Sequence, residues 1–390
     1  MSVDGHVKAQ AVYSAFDQDS AFVQSLGETN LDALMNSRVN LRHSVNTFSF
    51  AADYELATYA SPKLGVSEAG AVDMNLLPSD KQRFFNFTQT VYEEGDYAIV
   101  QRLDRAALTY SGDKVVAKIG RQALSWGNGL MFSAMDLVNP FDPIAIDKEY
   151  KAGDDMLYAQ ILNDGGSDWQ FAWVLRRDEQ GEHHSDVDSF AAKYHGFSEL
   201  GEYDLLFMQH YGDTVIGAGA AINVGGSVLR TDLVNQHSDG ANYLNAVASL
   251  SYSWTSMNKP MSAMLEYYHN DYGLAERPYS AQAIAANPEL AKRLARGELY
   301  NLGRDYIGAS WLLELHPLWN FSPNAFVNLN DSSALLQLLN LWDLSQNTRL
   351  TLSLNKGLGE RGTEFTGPEY LPGQYYSQSW SFYGEFGWYF

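Results

Sequence analysis

Several side chains in this sequence have the chemistry to bind or react, and their spacing limits what they can do. His183 and His184 are adjacent, with Glu182 and Asp186 beside them. They offer either a metal pair or a solvated loop. Asp147, Glu149, Asp154 and Asp155 are hard oxygen donors of the kind calcium takes, but their spacing matches no calcium motif. His195, His210, His237 and His269 add general bases, and no spacing singles out a nucleophile beside one of them. The chain has 0 Cys, which removes disulfides, Cys zinc sites and c-type haem attachment. No metal site, cofactor or catalytic group is therefore expected. What remains is charge: the cations Arg38, Arg42, Lys114, Lys118, Arg121, Arg176, Lys193 and Arg349, and the acids Asp53, Glu55, Glu266 and Glu314. They sit singly, at alternate positions, in otherwise small or apolar stretches.

The elements that must position these charges are strands. Period-2 alternation runs from one end of the chain to the other. Trp169, Phe171, Trp173 and Leu175 alternate with Gln170, Ala172, Val174 and Arg176. Leu244, Ala246, Ala248, Leu250, Tyr252 and Trp254 alternate with Asn245, Val247 and a run of serines. Segments of about ten residues with one apolar and one polar or small face are the pattern of a transmembrane β-barrel. The expected fold is all-β: a single antiparallel up-and-down barrel over residues 1–390. About 18 strands are expected, with about 16 as the alternative count. Their centres fall near residues 10, 40, 53, 103, 119, 158, 172, 192, 206, 219, 230, 248, 265, 311, 325, 338, 351 and 384. Parity places the charges above on the inward face, Arg121 excepted, and all of them are expected to line the pore. The run Arg102–Arg105 does not alternate, and a β-bulge would reconcile it. Arg121, next to Gly120, poses the same problem.

The connections segregate by length. Those on one side are short, as at Ser44–Thr47 and Ser345–Thr348. Most on the other side are long: Ser61–Asp96, Trp126–Gly153, Arg177–Asp186, Asn235–Asn242, Asp271–Asp305 and Leu358–Ser377. Short periplasmic turns and long extracellular loops are the outer-membrane arrangement. Two loops stand out. Residues 126–153 combine Trp126, Asp136, Asn139, Phe141, Asp142, Asp147, Glu149 and Lys151 with many apolar residues, and Asp154 and Asp155 follow. Such a loop is expected to fold into the barrel as a constriction, its apolar residues on the wall and its charges around the opening. Residues 271–305 contain a short helix with an Asn287 cap, Pro288 at the first position and Gly297 past the end.

Composition fits this reading. The 390 residues include 24 Tyr and 9 Trp, and the net charge is −21. An acidic chain lacks the basic footprint that nucleic-acid binding needs. No apolar run reaches the roughly 18 residues of a membrane helix. The start, MSVDGHVKAQ, is not a secretory signal, and Met1 is expected to replace one already removed. The last strand places Trp380, Phe382, Phe386, Trp388 and Phe390 on one face. It resembles the closing signal that the outer-membrane assembly machinery reads. The expected location is the bacterial outer membrane, and the expected partners are its lipids, lipopolysaccharide and that machinery.

The stretch Gly120–Gly129 (GRQALSWGNG), followed by NPFDP at Asn139–Pro143 and preceded by RLDR at Arg102–Arg105, resembles the alginate-export-like, porin-like outer-membrane barrels of Gram-negative bacteria. The resemblance implies an 18-stranded barrel for passive passage of a polar solute or polysaccharide. The lumen basic cluster points to an anionic solute. Two alternatives stand beside the channel. One is a barrel that exports lipid or hydrophobic cargo with periplasmic and inner-membrane partners. The other is an enzyme at the barrel rim.

Overall fold

The computed structural model describes residues 1–68 and 77–390. In chain order the strands are β1 (Ser2–Ala15), β2 (Thr29–Val45), β3 (Phe48–Ala60), β4 (Thr88–Glu94), β5 (Tyr97–Ser111), β6 (Val115–Gln122), β7 (Asp154–Leu162) and β8 (Asp168–Val174). There follow β9 (Ser189–Ser198), β10 (Gly201–His210), β11 (Asp213–Val224), β12 (Ser227–Ser238), β13 (Ala241–Ser256), β14 (Lys259–Asn270), β15 (Asp305–His316), β16 (Trp319–Asn328), β17 (Ser333–Ser345) and β18 (Thr348–Leu358). A small hairpin, β19 (Glu369–Leu371) and β20 (Gln374–Tyr375), precedes the last strand, β21 (Trp380–Tyr389). Each barrel strand pairs antiparallel with its sequence neighbours, and β1 closes the ring on β21, from His6↔Tyr389 to Ala15↔Trp380. Leaving β4 aside, the wall is a closed antiparallel barrel of 18 strands.

Alternation decides which residues face where. Leu205, Phe207, Ile216, Leu233, Leu250, Leu265, Leu338, Leu354 and Phe386 are exposed on the outer face, while their neighbours are covered from within. A closed barrel satisfies every wall amide internally, so this apolar exterior can sit in lipid. Aromatic pairs gather at the short-turn end: Trp319 and Trp342 stack with centroids 5.8 Å apart, and Trp254 and Trp311 6.4 Å apart. Tight turns close that end. Asn46, Gly225, Gly226, Met257 and Asn258 adopt positive φ, as hairpin turns twisted to match their strands require.

The bulge expected at Arg102–Arg105 is present. The β3–β5 register shifts between Asp53 and Tyr54, so Asp53 opposes Arg105 while Tyr54 opposes Leu103. The Asn235–Asn242 connection is shorter than the sequence suggests. β12 runs on to Ser238 and β13 starts at Ala241, leaving a two-residue turn with Asp239 and Gly240 at positive φ. The 271–305 loop holds the expected helix, α4 (Pro288–Ala295), preceded by α3 (Ala281–Ala285); two short helices, α1 (Val23–Leu26) and α2 (Pro62–Glu68), lie earlier in the chain. The Asn287 side chain accepts from Leu290 N at 3.2 Å. Arg293 is buried rather than solvated: it pairs with Glu289 and Asp213 and covers the Tyr272 ring at 3.7 Å.

The wall is low at β6, β7 and β8, which have only 8, 9 and 7 residues. The preceding outer loop makes up the height. β4 pairs with the upper half of β5, where β6 has already ended. Arg83 then bridges to Arg176 beyond β8. This supplement explains Arg121. Gly120 takes φ +116 with Ala106 O where a side chain would be, and Arg121 pairs across to Asp155. Both alternate with inward residues (Lys118 and Met156), so Arg121 lies on the outer side of the wall under the 80–87 segment. It is not on the lumen side, where it was expected together with the other cations. Lys114 also leaves the expected position. It stands in the turn before β6 and reaches Asp164 in the next turn, at 2.7 Å, with both side chains exposed.

Candidate functional site

The connection from β6 to β7, residues 123–153, runs inside the barrel and touches the inward face of nearly every strand in turn. Trp126 Nε1 donates to Gln170 of β8 at 2.7 Å. Asn128 donates through its backbone and its side chain to Asp232 of β12, at 2.7 and 2.8 Å. The next contact is the densest. Three consecutive amides, Leu130, Met131 and Phe132, donate to the Glu266 carboxylate of β14 at 2.7, 3.0 and 2.6 Å. The Phe132 ring stacks on Tyr268 and meets Phe326 edge-on. Gln337 of β17 donates to Ile144 O at 3.1 Å. Lys8 of β1 holds both Asp147 and Glu149 at 2.7 Å. Tyr150 lies over the Arg38 guanidinium of β2, 4.1 Å away. The loop thus circles the wall from β8 round to β2 before rejoining it at β7.

Small inward residues make room for it. A Cβ on Gly219 would stand 2.3 Å from Asp232 and 2.6 Å from the Asn128 amide. One on Gly308 would meet Met131 Sδ at 2.6 Å. Against this seat pack Trp126, Phe132, Met135 and Val138, together with Val174, Leu206, Met208, Val234 and Val247 from the wall. Within the loop, Lys151 clamps Asp136 at 2.6 Å from both carboxylate oxygens and reaches Leu124 O. Burial pushes Asp136 up to about 6 even so, and pushes Lys151 down. Burial likewise raises Asp142, whereas Asp147 and Glu149, drawn by Lys8, end below their usual range despite burial. Asn139 takes a positive φ, and Phe141 packs near Tyr300 of the 271–304 loop.

The expected lumen charges are largely spoken for. Arg38 pairs with Asp53 and Asp104 at 2.9 Å each, Arg42 with Asp53, and Arg102 with Glu55 at 2.9 Å. Lys193 pairs with Asp204 at 2.8 Å, Arg176 with Asp154 at 3.2 Å, and Arg349 with Asp343 at 2.7 Å near the short-turn mouth. Lys118 and Arg230 face inward with no carboxylate partner among the described residues; Lys118 lies by the Tyr158 ring and Arg230 on Ser251. Glu314 is half-buried towards the same mouth. Asp147 and Glu149 are not brought to Asp154 and Asp155, which bind Arg176 and Arg121 instead.

Ser189, His210 and Glu298 form the arrangement nearest to a catalytic relay, with Ser189 Oγ 2.8 Å from His210 Nδ1 and His210 Nε2 3.3 Å from Glu298. Both Ser189 and His210 are wholly buried, and Arg176 donates to the serine oxygen. No substrate atom can reach that hydroxyl in this arrangement.

The outer loop 359–379 docks from above through Glu364. Its carboxyl accepts from Leu302 N at 2.8 Å and from the Tyr306 hydroxyl and Asn328 Nδ2 at 2.6 Å each. Burial lifts it to about 7, above its ordinary 4.5. A folded value above the unfolded one means docking is strongest below about 4.5 and weakens as pH rises through about 7. Hydrogen exchange of residues 359–379 is therefore expected to accelerate between about pH 5.5 and 8.5 beyond the intrinsic rate change. Glu364→Gln should remove the excess; an excess that survives in that variant would exclude Glu364 as its cause.

Comparison with family models finds no match, and comparison with curated proteins finds none. Among solved structures, Acinetobacter baumannii OccAB4 aligns over 100% of this chain and 97% of its own, with TM-score 0.56 and 10% identity. Acinetobacter baumannii OccAB1 aligns over 100% and 96%, with TM-score 0.51 and 8% identity. These neighbours are outer-membrane porins. At such identities the likeness concerns the fold: this chain is an 18-stranded outer-membrane-type barrel.

Proposed function

We propose that the protein is a passive outer-membrane channel for a polar solute, narrowed by the 123–153 loop. The observation that carries this reading is the loop's circuit of the lumen, fastened at Asp232, Glu266, Gln337 and Lys8. A barrel of this strand number is too wide for wall side chains to fill, so an infolded loop sets the free cross-section. Charge preference should be weak, because a cation salt-bridged to a neighbouring carboxylate exerts little field on a passing ion. Anion preference, expected from counting cations, rests on Lys118 and Arg230. Alginate, the finer reading of the motif resemblance, needs an arginine-rich lumen with free guanidinium groups; pairing at Arg38, Arg42 and Arg102 weighs against it. Lipid and lipopolysaccharide on the outer face, the assembly machinery at the strand ending in Phe390, and periplasmic or inner-membrane transport partners belong to the same proposal.

Planar-bilayer recording tests it. Purified protein should conduct, and deletion of residues 130–150 should raise conductance several-fold while the barrel stays folded. A salt gradient should give a reversal potential near zero that shifts towards cation preference in a Lys118→Ala, Arg230→Ala double variant. Absence of current both before and after the deletion would sink the open-channel reading.

A further inference from the structure

We propose that a cavity at the extracellular end of the lumen seats an uncharged, hydroxyl-bearing ring of the solute, such as one residue of a neutral sugar chain; this rests on the channel reading above. The cavity holds about 280 Å³ and lies between the loop at Ile144 and Ile146, the walls of β17 and β18, and the docked 359–379 loop. That is at the lower end of ligand-pocket sizes, enough for roughly one ring rather than a drug-sized molecule.

The lining is amphipathic in a particular way. Ile144, Ile146, Leu335 and Phe365 supply apolar surface. Gln337, Asn355 and Gln378 supply side-chain amides. Gln337 is already committed, donating to Ile144 O and accepting from Asn324. Asn355 accepts from Ser353 Oγ at 3.0 Å but its NH2 group makes only a long 3.4 Å bond to Ser381, and Gln378 has no hydrogen-bond partner among the described residues. The Gln378 amide and the Asn355 NH2 group are thus left to bind hydroxyls, which both donate and accept.

No lysine, arginine or aspartate lines the space. Its one carboxyl group, Glu364, has its oxygens filled by Leu302, Tyr306 and Asn328. The loop charges on either side of Ile144 and Ile146 are the acids Asp142 and Asp147, and Lys8 pairs with the second. A carboxylate or phosphate placed here would lose its water and gain no cation, which is costly. A ring with an apolar face and an edge of hydroxyls matches both surfaces at once.

Saturation-transfer NMR on the purified barrel, with maltotriose and trigalacturonate as probes, reads the seat without needing any current. Maltotriose should show transfer and trigalacturonate much less. In bilayers maltotriose should briefly block the current. Leu335→Trp, which fills the space, should abolish both signals; Gln378→Ala, which alters only an exposed amide, should weaken binding several-fold and serves if the first variant misfolds. Equal or stronger binding of trigalacturonate, or maltotriose binding unchanged in both variants, would overturn the proposal. A barrel that binds maltotriose but carries no ions would overturn the channel and leave the seat standing. A conducting barrel with no transfer signal would do the reverse.

Discussion

Replacing Glu266 with alanine should release the Leu130–Phe132 segment and raise single-channel conductance towards that of the loop deletion. The reason is an unequal exchange. In the native barrel the carboxylate is fully buried and accepts three successive amides within 3.0 Å. Removing it leaves three buried donors without an acceptor, at a cost of about 1–3 kcal/mol each. The loop can recover water for those amides only by leaving the wall. The Phe132 ring, stacked on Tyr268 at 5.0 Å, opposes departure, and its apolar contacts set the limit of the effect. Glu266→Gln should fall between, since one amide oxygen remains but its NH2 group faces a donor. Gly308→Val reaches the same segment by another route, because its Cβ would stand 2.6 Å from Met131 Sδ. If the alanine variant folds and conducts like the parent, the amide cluster does not hold the loop.

The barrel was legible in the sequence because alternation is a local signal repeated many times. Every expected strand centre, from residue 10 to residue 384, lies within an observed strand. The helix at Pro288–Ala295 was legible for a similar reason, since its cap and its terminating glycine are fixed by neighbours in sequence. The seat of the loop was not read, although a signal existed. Gly217, Gly219 and Gly308 fall on inward positions of strands, and a strand glycine often marks a close backbone approach. Pairing of charges was beyond reach. Arg38 meets Asp104 across 66 positions and Lys8 meets Asp147 across 139, so which cations stay free depends on the closed barrel and the loop inside it. Arg121 was misplaced for another reason: it was grouped with the lumen cations although its position alternates with inward Lys118, and nothing in the sequence showed that the 80–87 segment would cover it from outside.

That misplaced arginine gives the largest expected loss of stability. Arg121 donates through Nη1 to Asp80, through Nε and Nη2 to Asp155 at 3.0 and 2.9 Å, and through Nη2 to Phe85 O. Its guanidinium also faces the Phe87 ring at 4.7 Å. Burial alone would raise the Asp80 carboxyl, yet Arg121 and Arg83 hold it below its usual range. Arg121→Ala would leave the buried Asp155 carboxylate without a cation and Asp80 with Arg83 alone, and breaking a buried pair from one side costs about 3–5 kcal/mol. The loss should be felt as a wall defect, because this cluster ties the 80–87 segment to the short strands β6 and β7 where the barrel is lowest. Arg121→Lys should recover little, since one ammonium cannot make the fork of bonds that both carboxylates and the carbonyl use. Lys118→Ala is the matched control, one turn of the alternation away with no carboxylate partner among the described residues, and should shift stability by no more than about 0.5 kcal/mol. Urea unfolding in detergent, followed by tryptophan fluorescence, compares them. Equal midpoints for Arg121→Ala and Lys118→Ala would show that the outer supplement is held by β4 pairing alone and that the charge cluster adds nothing to it.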